Sequence, residues 1–135
     1  MTITAQPGQL LTPVEMPLTR VELARYAGAS GDFNPIHYND AAAAALGLPG
    51  VIAHGMLTMG CALRVVTDWI KDPARVVSYA VRFTKPVVVP ATGAALVVFT
   101  GTVTAVADGV ATVSLTATCG DDKVLGAATA EVRLD

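Results

Sequence analysis

The chain has 135 residues, enough for one domain around one core. Its formal net charge of −2 gives no electrostatic reason to bind nucleic acid or an anionic membrane surface. Hydrophobic residues make up 53% and charged residues only 15%, which fits either an Ala- and Val-rich composition or apolar surface kept for a partner chain or a greasy ligand.

The first eight residues lack the positive start and apolar run of a signal peptide. Residues 1–10 are expected to be a flexible N-terminus, with the domain over 11–135. Thr19-Arg20-Val21-Glu22 fits a capping box and predicts a short helix whose apolar residues are Val21, Leu23, Ala24 and Ala27, ending near Gly28. Between Ser30 and Tyr38, Gly31 and Pro35 forbid regular helix. A short helix over 40–46 is capped by Asn39 or Asp40 and stopped by Gly47. Residues 41–63 hold no Asp, Glu, Lys or Arg and are long enough to span a bilayer. Gly47, Pro49, Gly50, His54 and Gly55 would strand backbone groups in lipid there, so two elements joined by a buried loop are expected, with no membrane insertion.

The longest predicted helix covers 55–70, where Met56, Met59, Leu63, Val66 and Ile70 build an apolar stripe that Leu57 and Cys61 widen, and Pro73 stops it. Strand-like runs follow over 76–89, 94–107, 110–119 and 123–134, with Asp108-Gly109 as a hairpin signal and Gly120-Asp121-Asp122 as a second turn. Helices first and antiparallel strands later predict an α+β domain. Cys61 and Cys119 form no CxxC pair, and two reduced thiols in a cytoplasmic protein is the simplest account. With two histidines and no close His/Cys/Asp cluster, no metal is expected, and no phosphate-binding or dinucleotide fingerprint is present.

The stretch from Tyr26 to His37 carries the chemistry. It gathers Ser30, Asp32, Asn34 and His37 in one loop, and the proline-broken backbone can turn Asp32 and His37 toward one water or substrate hydroxyl. The bland alternative is an ordinary Asn-Pro turn with a surface histidine. A second feature is Ala53-His54-Gly55-Met56 at the start of the long helix, where N–H groups make a small positive site and Gly55 allows close approach to a developing oxyanion. The alternative there is that Gly55 is merely an N-cap. Arg82 and Lys85 read as solvated strand-end charges that could also meet a phosphate-bearing carrier.

At these residues the sequence resembles the MaoC-like (R)-specific enoyl-thioester hydratases. Their motif is an aromatic residue, then Ser-Gly-Asp-x-Asn-Pro-hydrophobic-His, then a small residue; Tyr26, Ser30, Gly31, Asp32, Asn34, Pro35, Ile36, His37 and Ala43 satisfy it. The 52–56 segment is similar to the opening of the family's central helix, and Arg82-Phe83 with Pro86-Val87 to its first long strand. Within the family, the likeness is greatest to the catalytic B-type subunits of actinobacterial type II fatty-acid-synthase dehydratases. The resemblance implies a single hot-dog domain, a long central helix wrapped by an antiparallel sheet. It implies reversible dehydration of (3R)-3-hydroxyacyl thioesters to trans-2-enoyl thioesters, with Asp32 and His37 as the catalytic pair. Gly55, with His54, would polarise the thioester carbonyl, while Asn34 and Ser30 support the loop. No cofactor is needed, and acyl-CoA or acyl-ACP is the substrate. A homodimer, or a heterodimer with a related hot-dog subunit, is implied. A hydroxyl that some members carry farther along the central helix is replaced by Leu63, with Thr58 earlier. The competing readings are a hot-dog acyl-thioesterase and an acyl-binding subunit of a heterodimeric dehydratase.

Overall fold

Five strands and three helices organise residues 3–135, the residues that the computed structural model describes. In chain order they are β1 (Val14–Leu18), α1 (Arg20–Ser30), α2 (Asp40–Ala45), α3 (Gly55–Ile70), β2 (Val76–Phe83), β3 (Ala95–Ala107), β4 (Val110–Cys119) and β5 (Asp122–Arg133). The strands form one antiparallel sheet in the order β1-β3-β4-β5-β2. The β3–β4 hairpin turns on Asp108 and Gly109, both at positive φ (51° and 76°), the backbone that a two-residue turn between twisted strands requires. One face of the sheet packs against α3, the hot-dog arrangement that the resemblance implies.

The buried side of α3 is Thr58, Cys61, Ala62, Val65, Val66 and Ile70. This differs from the expected stripe. Met56 is 59% exposed, and Met59 and Leu63 are only half-buried. The reason lies in the sheet. At Gly101 of β3 an added Cβ would lie 2.8 Å from Val65 Cγ1, so the missing side chain admits Val65 and the small residues beside it face the core. Among the described residues no helix is long and apolar enough to cross a membrane. The charge-free stretch divides into α2, a loop and α3 as expected, but the loop is buried only toward its end, at Val51, Ala53 and His54; Leu46, Gly47 and Pro49 are exposed where the chain turns at the surface.

Other boundaries shift for local reasons. Helix α1 runs on to Ser30 because Gly31, at φ 76°, supplies the left-handed cap, its N–H donating to the Ala27 carbonyl at 2.9 Å. The run over 76–89 is not one strand: β2 ends at Phe83, and Lys85-Pro86 redirects the chain. The remaining piece pairs instead with the segment before α3, through Ala53 N–H to Val87 O (2.9 Å) and Val89 N–H to Val51 O (2.8 Å). Strand β1 is an element that the sequence reading does not include; Pro17 sits inside it, and at the sheet edge a missing N–H is tolerated. Residues 3–10, expected to be loose, are tied to the sheet: Ile3 N–H donates to Leu134 O and Gly8 N–H to Val103 O, both at 2.8 Å, and Val103 N–H to Gln9 O at 2.9 Å. The remainder of that expectation, Met1 and Thr2, lies outside the described residues.

Candidate active site

The loop between α1 and α2 is built by its own polar side chains. Ser30 Oγ accepts from the Asp32 N–H (3.1 Å), Asp32 Oδ1 from the Asn34 N–H (3.2 Å), and Asn34 Oδ1 from the Ile36 N–H (3.3 Å). Each closes a turn of the Asx or Ser type, and Pro35 then starts a single 3-10 turn ending at His37. Ser30 and Asn34 therefore shape the loop.

This geometry buries His37 to 7% exposure while leaving the Asp32 side chain half exposed. His37 Nδ1 donates to the Ile52 carbonyl at 2.7 Å. In the neutral ring that bond leaves the lone pair on Nε2, which lies 3.8 Å from Asp32 Oδ2. Ile52 is held in turn by its own N–H to the Ile36 carbonyl at 3.2 Å. The loop and the segment leading into α3 thus lock each other, and the carbonyl that orients His37 carries no sequence signature.

His54 is 1% exposed, so its side chain is not laid open to a ligand. Its ring stacks on His37 with centroids 3.7 Å apart and planes 22° apart, and Tyr26 meets it edge-on at 4.8 Å. His54 Nε2 donates to the Asp32 carbonyl at 3.1 Å. Burial, the largest influence, lowers its pKa from the ordinary 6.5, although the bond to the Asp32 carbonyl works the other way.

Gly55 is the first residue of α3. The first helical bonds run from Leu57 and Thr58 to the His54 carbonyl, so the Gly55 and Met56 N–H groups stand ahead of them at the helix tip. An added Cβ at Gly55 would lie 3.1 Å from the Phe83 ring. Beside it is an apolar cavity of about 210 Å³ lined by Gly55, Thr58, Phe83, Pro86, Val124 and Leu125. Neither Asp32 nor His37 lines that cavity. His54 joins the two regions, stacked on His37 and peptide-bonded to Gly55.

Asp32, His37 and His54 offer potential ligand atoms within 4.8 Å of one another, a cluster that the sequence spacing hid. Each ring's lone pair lies in its own plane, and the two planes are nearly parallel at a centroid spacing of 3.7 Å, so one ion at the roughly 2.0–2.1 Å of a zinc–nitrogen bond to both would sit well out of each plane. The arrangement suits proton transfer instead.

The MaoC like domain matches this chain over residues 3–120. The chain belongs to the MaoC-like dehydratase family. Within that family, 75 residues, 56% of this chain, are 47% identical to the 3-hydroxyacyl-thioester dehydratase X of Mycobacterium tuberculosis, and they cover 26% of that relative. The chain therefore matches about a quarter of the curated relative's length. A solved MaoC-like dehydratase superimposes with a TM-score of 0.94 at 38% identity, over 97% of this chain and 41% of that one. A chain of the ChsH1–ChsH2 complex from Mycobacterium tuberculosis matches end to end, with a TM-score of 0.86 at 26% identity over 98% of this chain and 100% of that one.

Proposed function

We propose that this MaoC-like domain is a hydro-lyase that interconverts (3R)-3-hydroxyacyl thioesters and trans-2-enoyl thioesters. The observation that carries the reading is His37 Nε2 facing the Asp32 carboxylate at 3.8 Å, with Nδ1 already committed to Ile52. The name of the mycobacterial relative, a 3-hydroxyacyl-thioester dehydratase, supports it.

In the dehydration direction His37 Nε2 takes the C2 proton. The freed electron pair forms the C2–C3 double bond, and the C3–O bond breaks. Asp32, half exposed, holds the departing hydroxyl, and the pair returns one proton to it, so that water leaves. No electrons change hands. The N–H groups at the tip of α3 would stabilise enolate charge on the thioester oxygen. The apolar cavity beside Gly55 fits part of an acyl chain.

Association through a sheet edge accompanies this reading. The edge strand β2 carries Val77 and Phe83, both more than half exposed, which a second hot-dog subunit, identical or related, would cover. The likeness to a chain of ChsH1–ChsH2, itself a complex, supports such pairing. Both cysteines are free, in keeping with a cytoplasmic setting.

The test is to supply crotonyl thioester, on CoA and on a carrier protein, to the protein with and without a candidate partner subunit. Formation of the (3R)-3-hydroxy product by chiral analysis is expected. Release of free thiol without hydration would replace this reading with a thioesterase. Activity that requires a partner and survives loss of Asp32 and His37 would make the chain an acyl-binding subunit.

A further inference from the structure

The proton transfers above leave His54 without a role, yet the fold retains it under unusual conditions. Among the described residues, its Nδ1 is the one buried side-chain polar atom with no hydrogen-bond partner, an arrangement that costs stability. An apolar side chain would leave no orphan there. What the imidazole combines is an N–H in one direction and a flat face in another. The N–H goes to the Asp32 carbonyl at 3.1 Å, and the face lies 3.7 Å from His37.

We propose that His54 is a positioning residue serving both members of the pair: its Nε2–H fixes the main chain of Asp32, and its neutral ring carries His37 through the state in which His37 holds the transferred proton. This rests on the reading of His37 as the base. A ring face attracts a cation held within about 6 Å of it, and the stack meets that condition. The platform works only while His54 itself is uncharged. The charged and titratable groups around it are Asp32 from the loop, His37 stacked on its face and Tyr26 from α1 packed T-shaped against it. From α3 comes only the hydroxyl of Thr58, donating to the His54 carbonyl at 3.5 Å. Burial lowers its pKa against the pull of the Asp32 carbonyl, and the buried Nδ1 faces no acceptor that could take a second N–H.

Two variants separate the two duties. His54→Gln keeps an N–H donor and loses the ring face; His54→Phe keeps the face and loses the donor. In His54→Gln, the acid limb of the kcat/KM profile is expected to move to lower pH, because protonated His37 loses its support, and kcat to fall about tenfold. In His54→Phe, kcat is expected to fall by a similar factor with the limb unmoved. Profiles that coincide with wild type in both variants, with only stability reduced, overturn the proposal. A second measurement needs neither turnover nor a folded variant. Nitrogen-15 spectra of the wild-type imidazoles are expected to show His54 neutral and protonated at Nε2 wherever the protein is folded and active. A His54 that is charged in that range, or protonated at Nδ1, overturns it equally. If instead the reading of the pair is at fault, Asp32 and His37 variants keep their activity while the His54 spectra stay as expected.

Discussion

Asp32→Asn is the sharpest perturbation of the site, because it changes charge and almost nothing else. The amide can present the same oxygen to the Asn34 N–H, now 3.2 Å from Oδ1, so the turn survives. Stability should change by under about 0.5 kcal/mol. What disappears is the negative charge facing the proton that His37 acquires in the proposed reaction. At the observed 3.8 Å, a unit pair is worth about 1 kcal/mol in bulk water and about 4 kcal/mol at an effective dielectric constant near 20. Asp32 is half exposed and His37 buried, so the true value falls between those limits. The electrostatic loss alone is then about sixfold to about a thousandfold in rate. Loss of the carboxylate's share of the proton work lifts the expected drop in kcat/KM to at least about a hundredfold. The assay is hydration of crotonyl thioester under steady state, with the thermal midpoint measured in parallel. A variant as stable as wild type and within about threefold of its rate would strip the carboxylate of its part in the chemistry.

Three further outcomes follow from the fold. Gly101→Val should destabilise by about 1–3 kcal/mol in urea unfolding, because even a Cβ there lies 2.8 Å from Val65 and 3.1 Å from Leu115; an unchanged midpoint would contradict the packing of α3 on β3. Stability should decline as pH drops below 6.5, since His54 takes up a proton in the unfolded chain before it does so when folded; urea midpoints at several pH values check the sign, and in His54→Phe this part of the slope should vanish. Burial lifts Tyr79 to about 12, so in a spectrophotometric titration one of the three tyrosines should ionise about there, and Tyr79→Phe should abolish that step. The same substitution removes the donor to the Met59 carbonyl (2.7 Å), for a cost of about 1 kcal/mol.

The loop between α1 and α2 was legible because its instructions are local. Pro35 and Gly31 bar helix, and Ser30, Asp32 and Asn34 each act two residues along the chain, a distance that spacing reveals. Helix α3 was legible in extent, from Gly55 to Ile70, but not in rotation. Its rotation depends on Gly101, which is some forty residues away and silent until the sheet forms. Strand β1 was hidden by Pro17, a residue that speaks against a strand everywhere except at an edge. The place of His54 was equally hidden. Its relation to His37 is a stack across two segments, and nothing in its neighbours Ala53 and Gly55 announces a ring on one side and a carbonyl on the other.

The two oxygens of Asp32 have separate employers. Oδ1 is spoken for by the architecture of the turn, and Oδ2 looks toward His37. A glutamate would keep the charge yet carry it one methylene farther from the Asn34 N–H, and the turn that aims the acid would lose its own strut. At this position the choice between the two acids is therefore settled by construction as much as by reactivity, and evolution can alter the acid only by redrawing the bend that holds it.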